Sequence, residues 1–233
     1  MYGYGYGYYG FDWTYVLLII GMLLSLAAST RLKSTFSYYR KIRSASGLTG
    51  AETAERILRA ADVHVRAISG SLTDHYDPRT KTVSLSEDIY DKTSLAAVGV
   101  AAHECGHAIQ HAIGYAPLEF RSAIVPVANF GSTLSWPLFL IGLFSGIRPL
   151  VTAGIVLFSL AVLFQLVTLP VEINASSRAL KMLQSTGILG SDETKGARKV
   201  LTAAAMTYVA ALAASILQLL RLLILAGGRR RDD

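Results

Sequence analysis

The chain has 233 residues, of which 52% are hydrophobic and only 16% are charged. A typical soluble domain carries about 25% charged residues, so this composition favours an integral membrane protein over a soluble one. The net charge of +6 does not indicate nucleic-acid binding, because no basic patch with interleaved aromatic residues is present. A single cysteine excludes an internal disulfide.

Four uncharged apolar segments are each long enough to cross a bilayer, which takes roughly 17–25 residues. They are Trp13 to Thr30, Ser122 to Ile147, Pro149 to Val171, and Val200 to Leu220, the last extended past Arg221 to Ala226. Buried core helices are the alternative interpretation. It is strongest for the second segment, which contains Asn129 and two prolines.

The residues around the first apolar segment predict its orientation. No Lys or Arg precedes it, whereas Arg31 and Lys33 follow at once. This pattern favours an uncleaved anchor with its N-terminus outside over a cleaved signal peptide. Met1 to Tyr9 is a Tyr/Gly repeat, and the neighbouring aromatic residues are candidates for an interfacial belt: Phe11, Trp13 and Tyr15.

Basic residues cluster after the first segment and between the third and fourth segments. With four spans both clusters fall on one side of the membrane, which the positive-inside rule makes cytoplasmic. The C-terminal basic residues would then lie outside, against the rule. The residues concerned are Arg31, Lys33, Arg40, Lys41 and Arg43, then Arg178, Lys181, Lys195, Arg198 and Lys199, and finally Arg229, Arg230 and Arg231.

The long polar stretch, from Arg31 to Arg121, predicts a small α+β region. Thr49 and Glu52 match a capping box, which predicts a helix from Gly50 to about Ala61. Val63 to Ile68 predicts a strand. The turn residues at 77–78 and the alternation at 83–85 predict a short β-hairpin. Its edge strand either receives an extended peptide substrate or merely covers the core.

Five residues, His103-Glu104-Cys105-Gly106-His107, form an H-E-x-x-H motif within an Ala-rich helix predicted from Ser94 to Tyr115. Thr93 or Ser94 could cap this helix. Residues four apart share a helix face, so both imidazoles can reach one metal ion, with Glu104 beside it as a general base. The alternative is a coincidental pair of core histidines. Cys105 is at a non-ligand position and is predicted to pack.

A catalytic zinc usually has three protein ligands and an open position. The metzincin pattern is excluded, because its third histidine position is occupied by Ile113. His111 lies one turn past His107 and suits a supporting or helix-end role. Glu172, just past Pro170 at the end of the third apolar segment, is the better candidate for the third ligand. Its spacing fits a solvated helix-start glutamate equally well.

The chain resembles the YugP-type family of bacterial membrane neutral zinc metallopeptidases. The resemblance rests on GLTG at 47–50, DHYDPRT at 74–80, AAHECGHAIQH at 101–111, PVANFGS at 126–132, LPVE at 169–172 and NAS at 174–176. The family looks related to HtpX-like and CAAX-processing membrane proteases, in which a later glutamate joins H-E-x-x-H. The resemblance therefore implies that Glu172 is the third ligand. Those relatives place an aspartate four positions after the glutamate, where this chain has Ser176; Ser176, Asn174 or another group must orient the histidines.

The expected fold is mainly α and integral to the membrane, with about four transmembrane helices and a small cytoplasmic zincin-like α+β catalytic region. The expected division is a tail and first transmembrane helix, the catalytic region with the motif helix, a transmembrane hairpin, a third-ligand helical region, and a last transmembrane helix with a basic tail. The corresponding ranges are 1–30, 31–121, 122–171, 172–199 and 200–233.

The expected function is that of a membrane-embedded zinc metalloendopeptidase of the gluzincin type, with one zinc ion on His103, His107 and Glu172. Its substrates are membrane or membrane-proximal proteins, and Glu104 is the general base. Candidates for stabilising the oxyanion are His75, Tyr76 and Arg178. The expected location is the bacterial cytoplasmic membrane, with the active site on the cytoplasmic side.

Two other classes of function remain open at this stage. One is an intramembrane-cleaving zinc protease, which would need its metal within the bilayer. The other is a non-catalytic metal-binding scaffold, which a closed four-ligand site would favour. Expected partners are a protein or peptide substrate and the lipid bilayer, with no nucleic acid; the sequence identifies no other protein partner.

Overall fold

The computed structural model describes residues 12–228, which form six helices and three strands. The Tyr/Gly repeat, Phe11 and the basic residues 229–231 lie outside this range. The helices are α1 (Tyr15–Tyr39), α2 (Gly50–Ile57), α3 (Leu95–Ala112), α4 (Ala116–Ser145), α5 (Arg148–Ser185) and α6 (Ser191–Gly228). The strands are β1 (His64–Ile68), β2 (His75–Asp77) and β3 (Thr82–Ser86).

Four of these helices, α1, α4, α5 and α6, are long and apolar enough to cross a membrane, which confirms the predicted number of spans. Helices α5 and α6 each have 38 residues. At 1.5 Å per residue each is about 57 Å long, well beyond the roughly 30 Å of a hydrocarbon core. Both helices therefore continue beyond the apolar segments into the α+β region, and they run through the expected boundaries at 171 and 199.

The position of Glu172 just after Pro170 suggested that it begins a new helix. In the structure Glu172 lies inside the continuous helix α5. Proline removes one backbone hydrogen bond, but neighbouring helices and hydroxyl side chains allow a transmembrane helix to continue through it. Here Thr168 donates its hydroxyl to the carbonyl oxygen of Phe164, and Val171 is fully buried. The helix consequently carries Glu172 rigidly beyond the apolar segment.

Small residues set the spacing between the membrane helices. A Cβ atom on Gly154 of α5 would lie 2.8 Å from the backbone nitrogen of Phe139 on α4. A Cβ on Gly21 of α1 would lie 3.1 Å from Ala214 on α6. Close backbone approach at small residues is the usual way in which membrane helices associate. The bundle is therefore organised as two helix pairs, α4 with α5 and α1 with α6.

The α+β region begins with α2, whose predicted capping box is present. Thr49 accepts a hydrogen bond from the Glu52 backbone, and Glu52 accepts one from the Thr49 backbone. The helix ends at Ile57, four residues earlier than predicted. In the three-stranded sheet, β3 lies between β1, to which it is parallel, and β2, to which it is antiparallel. The predicted hairpin is confirmed, and β2 is an edge strand.

Helix α3 lies at the centre of the α+β region. Ser94 caps it by accepting a hydrogen bond from the backbone nitrogen of Ala97. One side of α3 packs on α2 and the sheet, and the other packs on α5 and α6. A helix enclosed on several sides needs small apolar residues around its circumference, which accounts for its alanine content. The core thus holds the H-E-x-x-H motif in a fixed position.

The closest approach between α3 and α5 occurs at Gly106, within the motif. A Cβ atom there would lie 2.5 Å from the carbonyl oxygen of Ala175. That distance is far below van der Waals contact, so a larger residue would force the two backbones apart. Gly106 therefore determines how near Glu172, one turn before Ala175, can come to the histidines.

We predict that Gly106→Ala destabilises the protein by about 1–3 kcal/mol and weakens zinc retention, because α5 must move away from α3. Gly99→Ala on the same helix is the matched control. Its Cβ would lie an ordinary 3.4 Å from Ala197, and alanine favours helix by about 1 kcal/mol. Thermal unfolding and zinc content of the purified variants measure both effects. Equal stability and equal zinc content in the two variants would contradict the proposed spacing role.

Candidate metal centre

Three side chains from two helices converge at one point. The Nε2 atoms of His103 and His107, both on α3, are 3.2 Å apart. The Oε2 atom of Glu172 on α5 lies 3.2 Å from the first nitrogen and 3.5 Å from the second. Glu172 and His107 are buried, and His103 is half-buried. Three potential metal ligands therefore form a nearly equilateral triangle.

The size of this triangle fits a zinc ion. Zinc binds imidazole nitrogen and carboxylate oxygen at about 2.0–2.1 Å with tetrahedral geometry, which places neighbouring ligand atoms about 3.3 Å apart. The three observed separations bracket that value. Two neutral imidazoles and one carboxylate are also the ligand set of a catalytic site that keeps its fourth position open. Both the spacing and the chemistry of the donors match zinc.

Each histidine is oriented through its second ring nitrogen. The Nδ1 atom of His103 lies 3.1 Å from the hydroxyl of Ser176, and that of His107 lies 3.0 Å from Oε1 of Gln110. An amide oxygen only accepts, so Nδ1 of His107 must carry the proton and Nε2 keeps its lone pair for a metal. Ser176 therefore contacts His103 directly and can orient its ring.

The amide of Gln110 is itself fixed in orientation. Its Nε2 donates to the carbonyl oxygen of Val171 and to Oδ1 of Asn174, both at 2.9 Å. Because both amide protons are used on α5, Oε1 must point back at His107. Gln110 is fully buried, where leaving any of these groups unpaired would cost about 1–3 kcal/mol. Asn174 thus supports His107 through Gln110.

The second oxygen of Glu172 is bound from a different helix. Nη1 of Arg121, on α4, lies 3.3 Å from Oε1 of Glu172. This contact leaves Oε2 facing the two imidazoles. Arg121 also balances the charge of a buried carboxylate, which would otherwise be costly to desolvate. Three polar side chains, Ser176, Gln110 and Arg121, therefore each contact one of the candidate ligands. Asn174 contributes indirectly, through Gln110.

Glu104 lies beside this cluster and is buried, with 7% of its surface exposed. Burial raises the pKa of Glu104, and the two neighbouring imidazoles act in the opposite direction. Asp74, just before β2, lines a cavity together with Glu104, and burial also raises the pKa of Asp74. A carboxylate with a raised pKa next to a metal site is suited to accepting and releasing a proton near neutral pH.

Two cavities adjoin the metal centre. The first, of about 150 Å³, extends from Glu104 and Glu172 between α1 and α6, where Leu32, Phe36 and Ala204 form part of an apolar wall. The second, of about 300 Å³, lies on the β2 side and is more polar. Together they form a cleft with His103 and Glu104 at its middle.

The other predicted site residues fall in different places. His75 and Tyr76 on β2 line the larger cavity together with the ligands. The Tyr76 hydroxyl lies 2.9 Å from Nδ1 of His111, so His111 supports β2 and is not part of the ligand triangle. Arg178 donates to Asn174 and lies over the ring of Tyr115, outside the residues that line the two cavities.

Cys105 is fully buried, and its sulfur lies 3.9 Å from the carbonyl oxygen of Ala54. Burial raises the pKa of this thiol, which keeps it neutral. The side chain packs between α3 and α2 and is directed away from the ligand triangle. The predicted packing role agrees with this environment.

Four polar residues of the centre were not singled out as site residues from the sequence: Gln110, Arg121, Asp74 and Tyr208. A signal existed for Gln110, which is three positions after His107 and therefore on the same helix face. Tyr208 is a polar aromatic residue within an apolar segment and lines both cavities. Arg121 carried no comparable signal, because its partner is 51 positions away in sequence.

The fold and the site together define a class of protein. Two imidazoles and one carboxylate at tetrahedral spacing, next to a buried glutamate, are the features of a zinc hydrolase. Here they are attached to a helix bundle that can cross a membrane. This combination is typical of a membrane-bound zinc hydrolase.

Comparison with known proteins supports this classification. Residues 14–227 match the model of the family described as "Putative neutral zinc metallopeptidase", and the chain belongs to that family. The chain is also similar to "Putative membrane protease YugP" of Bacillus subtilis (strain 168). The two are 49% identical over 217 residues, which cover 91% of this chain and 96% of that protein. No solved structure matches the chain.

We predict that Ser176→Ala and Gln110→Ala each weaken zinc binding by about 10–100-fold, because each releases one histidine ring. Glu172→Ala removes a ligand and should abolish stoichiometric binding. Ser177→Ala is the matched control, since Ser177 is the exposed neighbour of Ser176 on the same helix. Competition with a chelator of known affinity measures each constant. Wild-type affinity in the Ser176 and Gln110 variants would contradict their positioning role.

Proposed function

We propose that the chain is a zinc metalloendopeptidase that cleaves membrane or membrane-proximal proteins, with zinc held by His103, His107 and Glu172. The single observation that carries this proposal is the triangle of ligand atoms, whose sides of 3.2, 3.2 and 3.5 Å suit tetrahedral zinc. Membership of a zinc peptidase family supports the same conclusion.

When bound, zinc supplies a Lewis acid that polarises the scissile carbonyl and activates water. The chain's own residues supply the remaining steps. Glu104 accepts a proton from the attacking water and delivers it to the leaving amine. Its burial beside the ligands keeps bulk water from competing for that proton. No hydrogen bond to another described side chain occupies its carboxylate.

The developing negative charge on the substrate carbonyl oxygen requires a hydrogen-bond donor. His75 and Tyr76 remain candidates because both line the cleft, and Tyr208 joins them for the same reason. Arg178 is a weaker candidate, since its guanidinium is directed to Asn174 and Tyr115. A substrate backbone can reach these donors by pairing with the free edge of β2, which bonds only to β3 among the described strands.

The position of the site favours cleavage at the membrane boundary over cleavage within the bilayer. Glu172 is 24 residues after Arg148, the first residue of α5. That separation corresponds to about 36 Å along the helix, slightly more than the roughly 30 Å hydrocarbon thickness. The basic residues near Arg31 are at the same end of the bundle, which favours the cytoplasmic side under the positive-inside rule.

A structural-zinc scaffold is the less favoured alternative. Structural zinc sites are usually closed by four protein ligands, often thiolates. Within residues 12–228 three ligand atoms converge, and the single cysteine is directed elsewhere. The buried Glu104 beside an open coordination position favours catalysis.

We predict that Glu104→Gln retains zinc but lowers the rate of peptide hydrolysis by at least about 100-fold, because the proton acceptor is lost. Glu87→Gln, at an exposed carboxylate of the same region, is the matched control and should remain active. Degradation of a casein-type substrate with and without chelator, together with zinc content, provides the measurement. A Glu104→Gln protein that cleaves at the wild-type rate would rule out this mechanism.

We also predict that the cavity next to Glu104 accepts a side chain of about leucine size along its apolar wall, since a cavity of about 150 Å³ is large enough for a benzene ring. Ala204→Leu should fill it and shift cleavage towards small side chains flanking the scissile bond. Ala211→Leu, on an exposed position of α6, should leave the cleavage pattern unchanged. Mass spectrometry of peptides cut from one mixed library compares the patterns. Identical patterns from wild type and Ala204→Leu would contradict this assignment.

A further inference from the structure

A third cavity, of about 480 Å³, lies between α1 and α6, away from the metal centre. From α1 its lining includes Arg31, Ser34 and Thr35; from α6 it includes Arg198, Lys199 and Thr202. None of these residues belongs to the cleft described above. We call it the α1/α6 cavity.

The charge in this cavity is unbalanced. Its lining contains three cations and no carboxylate. Among the described residues none of the three has an ion-pair partner, whereas Arg40, Lys81 and Lys195 each pair with an aspartate. Like charges contributed by two packed helices repel one another, and the repulsion strengthens where a membrane lowers the effective dielectric constant. An anion between the helices would remove this repulsion.

The position of the cavity favours a membrane lipid as the source of such an anion. Arg31 is the first charged residue after the apolar part of α1, and Lys199 immediately precedes the apolar part of α6. The cations therefore lie at the level of the membrane surface. Ser34, Thr35 and Thr202 add hydroxyl groups that can bond phosphate oxygens. Met206, two turns from Lys199 and 45% exposed, continues the lining towards the apolar part of the bundle.

We propose that the α1/α6 cavity binds the phosphate headgroup of an anionic phospholipid, whose acyl chains lie along α6 beyond Met206. Basic pockets between transmembrane helices are established sites for anionic headgroups. The guanidinium groups of Arg31 and Arg198 can each donate two hydrogen bonds to phosphate, and Lys199 adds a point charge. The cavity thus offers a phosphodiester both positive charge and hydroxyl hydrogen-bond donors.

A lipid bound in the α1/α6 cavity would also affect the cavity beside Glu104, because α1 and α6 line both. The helices that line the α1/α6 cavity also form the apolar wall of the cavity beside Glu104, through Leu32 and Phe36 on α1 and Val200 on α6. A lipid that joins the cations of α1 and α6 fixes the separation of these two helices. The lipid therefore stabilises the wall against which a substrate side chain would pack.

The test uses the full chain carrying Glu104→Gln, so that it does not depend on peptidase activity. Detergent-solubilised protein is titrated with phosphatidylglycerol, with phosphatidylcholine of the same chain length, or with inorganic phosphate. Affinity and the shift in unfolding temperature are measured. The cavity variant carries Arg31→Gln, Arg198→Gln and Lys199→Gln. The matched control carries Lys33→Gln, Lys41→Gln and Lys181→Gln, three exposed residues outside the cavity lining.

We expect wild type and the control to bind phosphatidylglycerol and to gain several degrees of unfolding temperature, with no gain from phosphatidylcholine. The cavity variant should bind at least about tenfold more weakly, given about 1 kcal/mol for each basic residue near an anionic surface. Thr202→Phe, which fills the exposed cavity without changing charge, should lose binding as well. This second variant separates loss of the site from misfolding.

Three results would overturn the proposal. Equal affinity in the cavity variant and the control would show that binding depends on general surface charge. Full binding by Thr202→Phe would place the lipid elsewhere. Protection by inorganic phosphate equal to that by phosphatidylglycerol would assign the cavity to a free phosphate ion and not to a lipid.

Discussion

The arrangement of the metal centre depends on the contact between α3 and α5 at Gly106. A side chain there would collide with the carbonyl oxygen of Ala175, so the backbones approach more closely than ordinary helix packing allows. This approach places a carboxylate from one helix within 3.5 Å of two imidazoles from the other. The H-E-x-x-H motif therefore needs more than its two histidines and its glutamate. It also needs a glycine at position 106, because a larger residue there would keep α5 away from α3.

Helix α5 contains both a predicted membrane span and the candidate metal ligand Glu172. Its first half is apolar and packs against α4 through Gly154, while its second half carries Glu172 and Ser176 into the α+β region. Because one continuous helix does both, the distance of the site from the membrane is set by a count of residues. The polar groups around the ligands, Gln110 and Arg121 among them, come from helices already fixed by packing, which limits the entropy lost in orienting them.

Local patterns predicted much of this fold. Apolar segment lengths gave the four membrane helices, and hydrogen-bonding side chains gave the caps at Thr49 and Ser94. Contacts between distant residues could not be predicted in this way. The parallel pairing of β1 with β3 and the contact of Arg121 with Glu172 depend on tertiary packing that no short-range pattern encodes. Pro170 suggested a break in the helix, but packing of the surrounding residues kept α5 continuous.

The most direct test of the central claim is X-ray absorption at the zinc edge of the purified protein. The structure predicts stoichiometric zinc with nitrogen and oxygen neighbours at about 2.0–2.1 Å, including two imidazoles, and no sulfur neighbour at about 2.3 Å. Cys105, buried against Ala54, could not contribute without rearrangement of α3. Absence of zinc, a sulfur ligand, or fewer than two imidazoles would contradict a centre built from His103, His107 and Glu172.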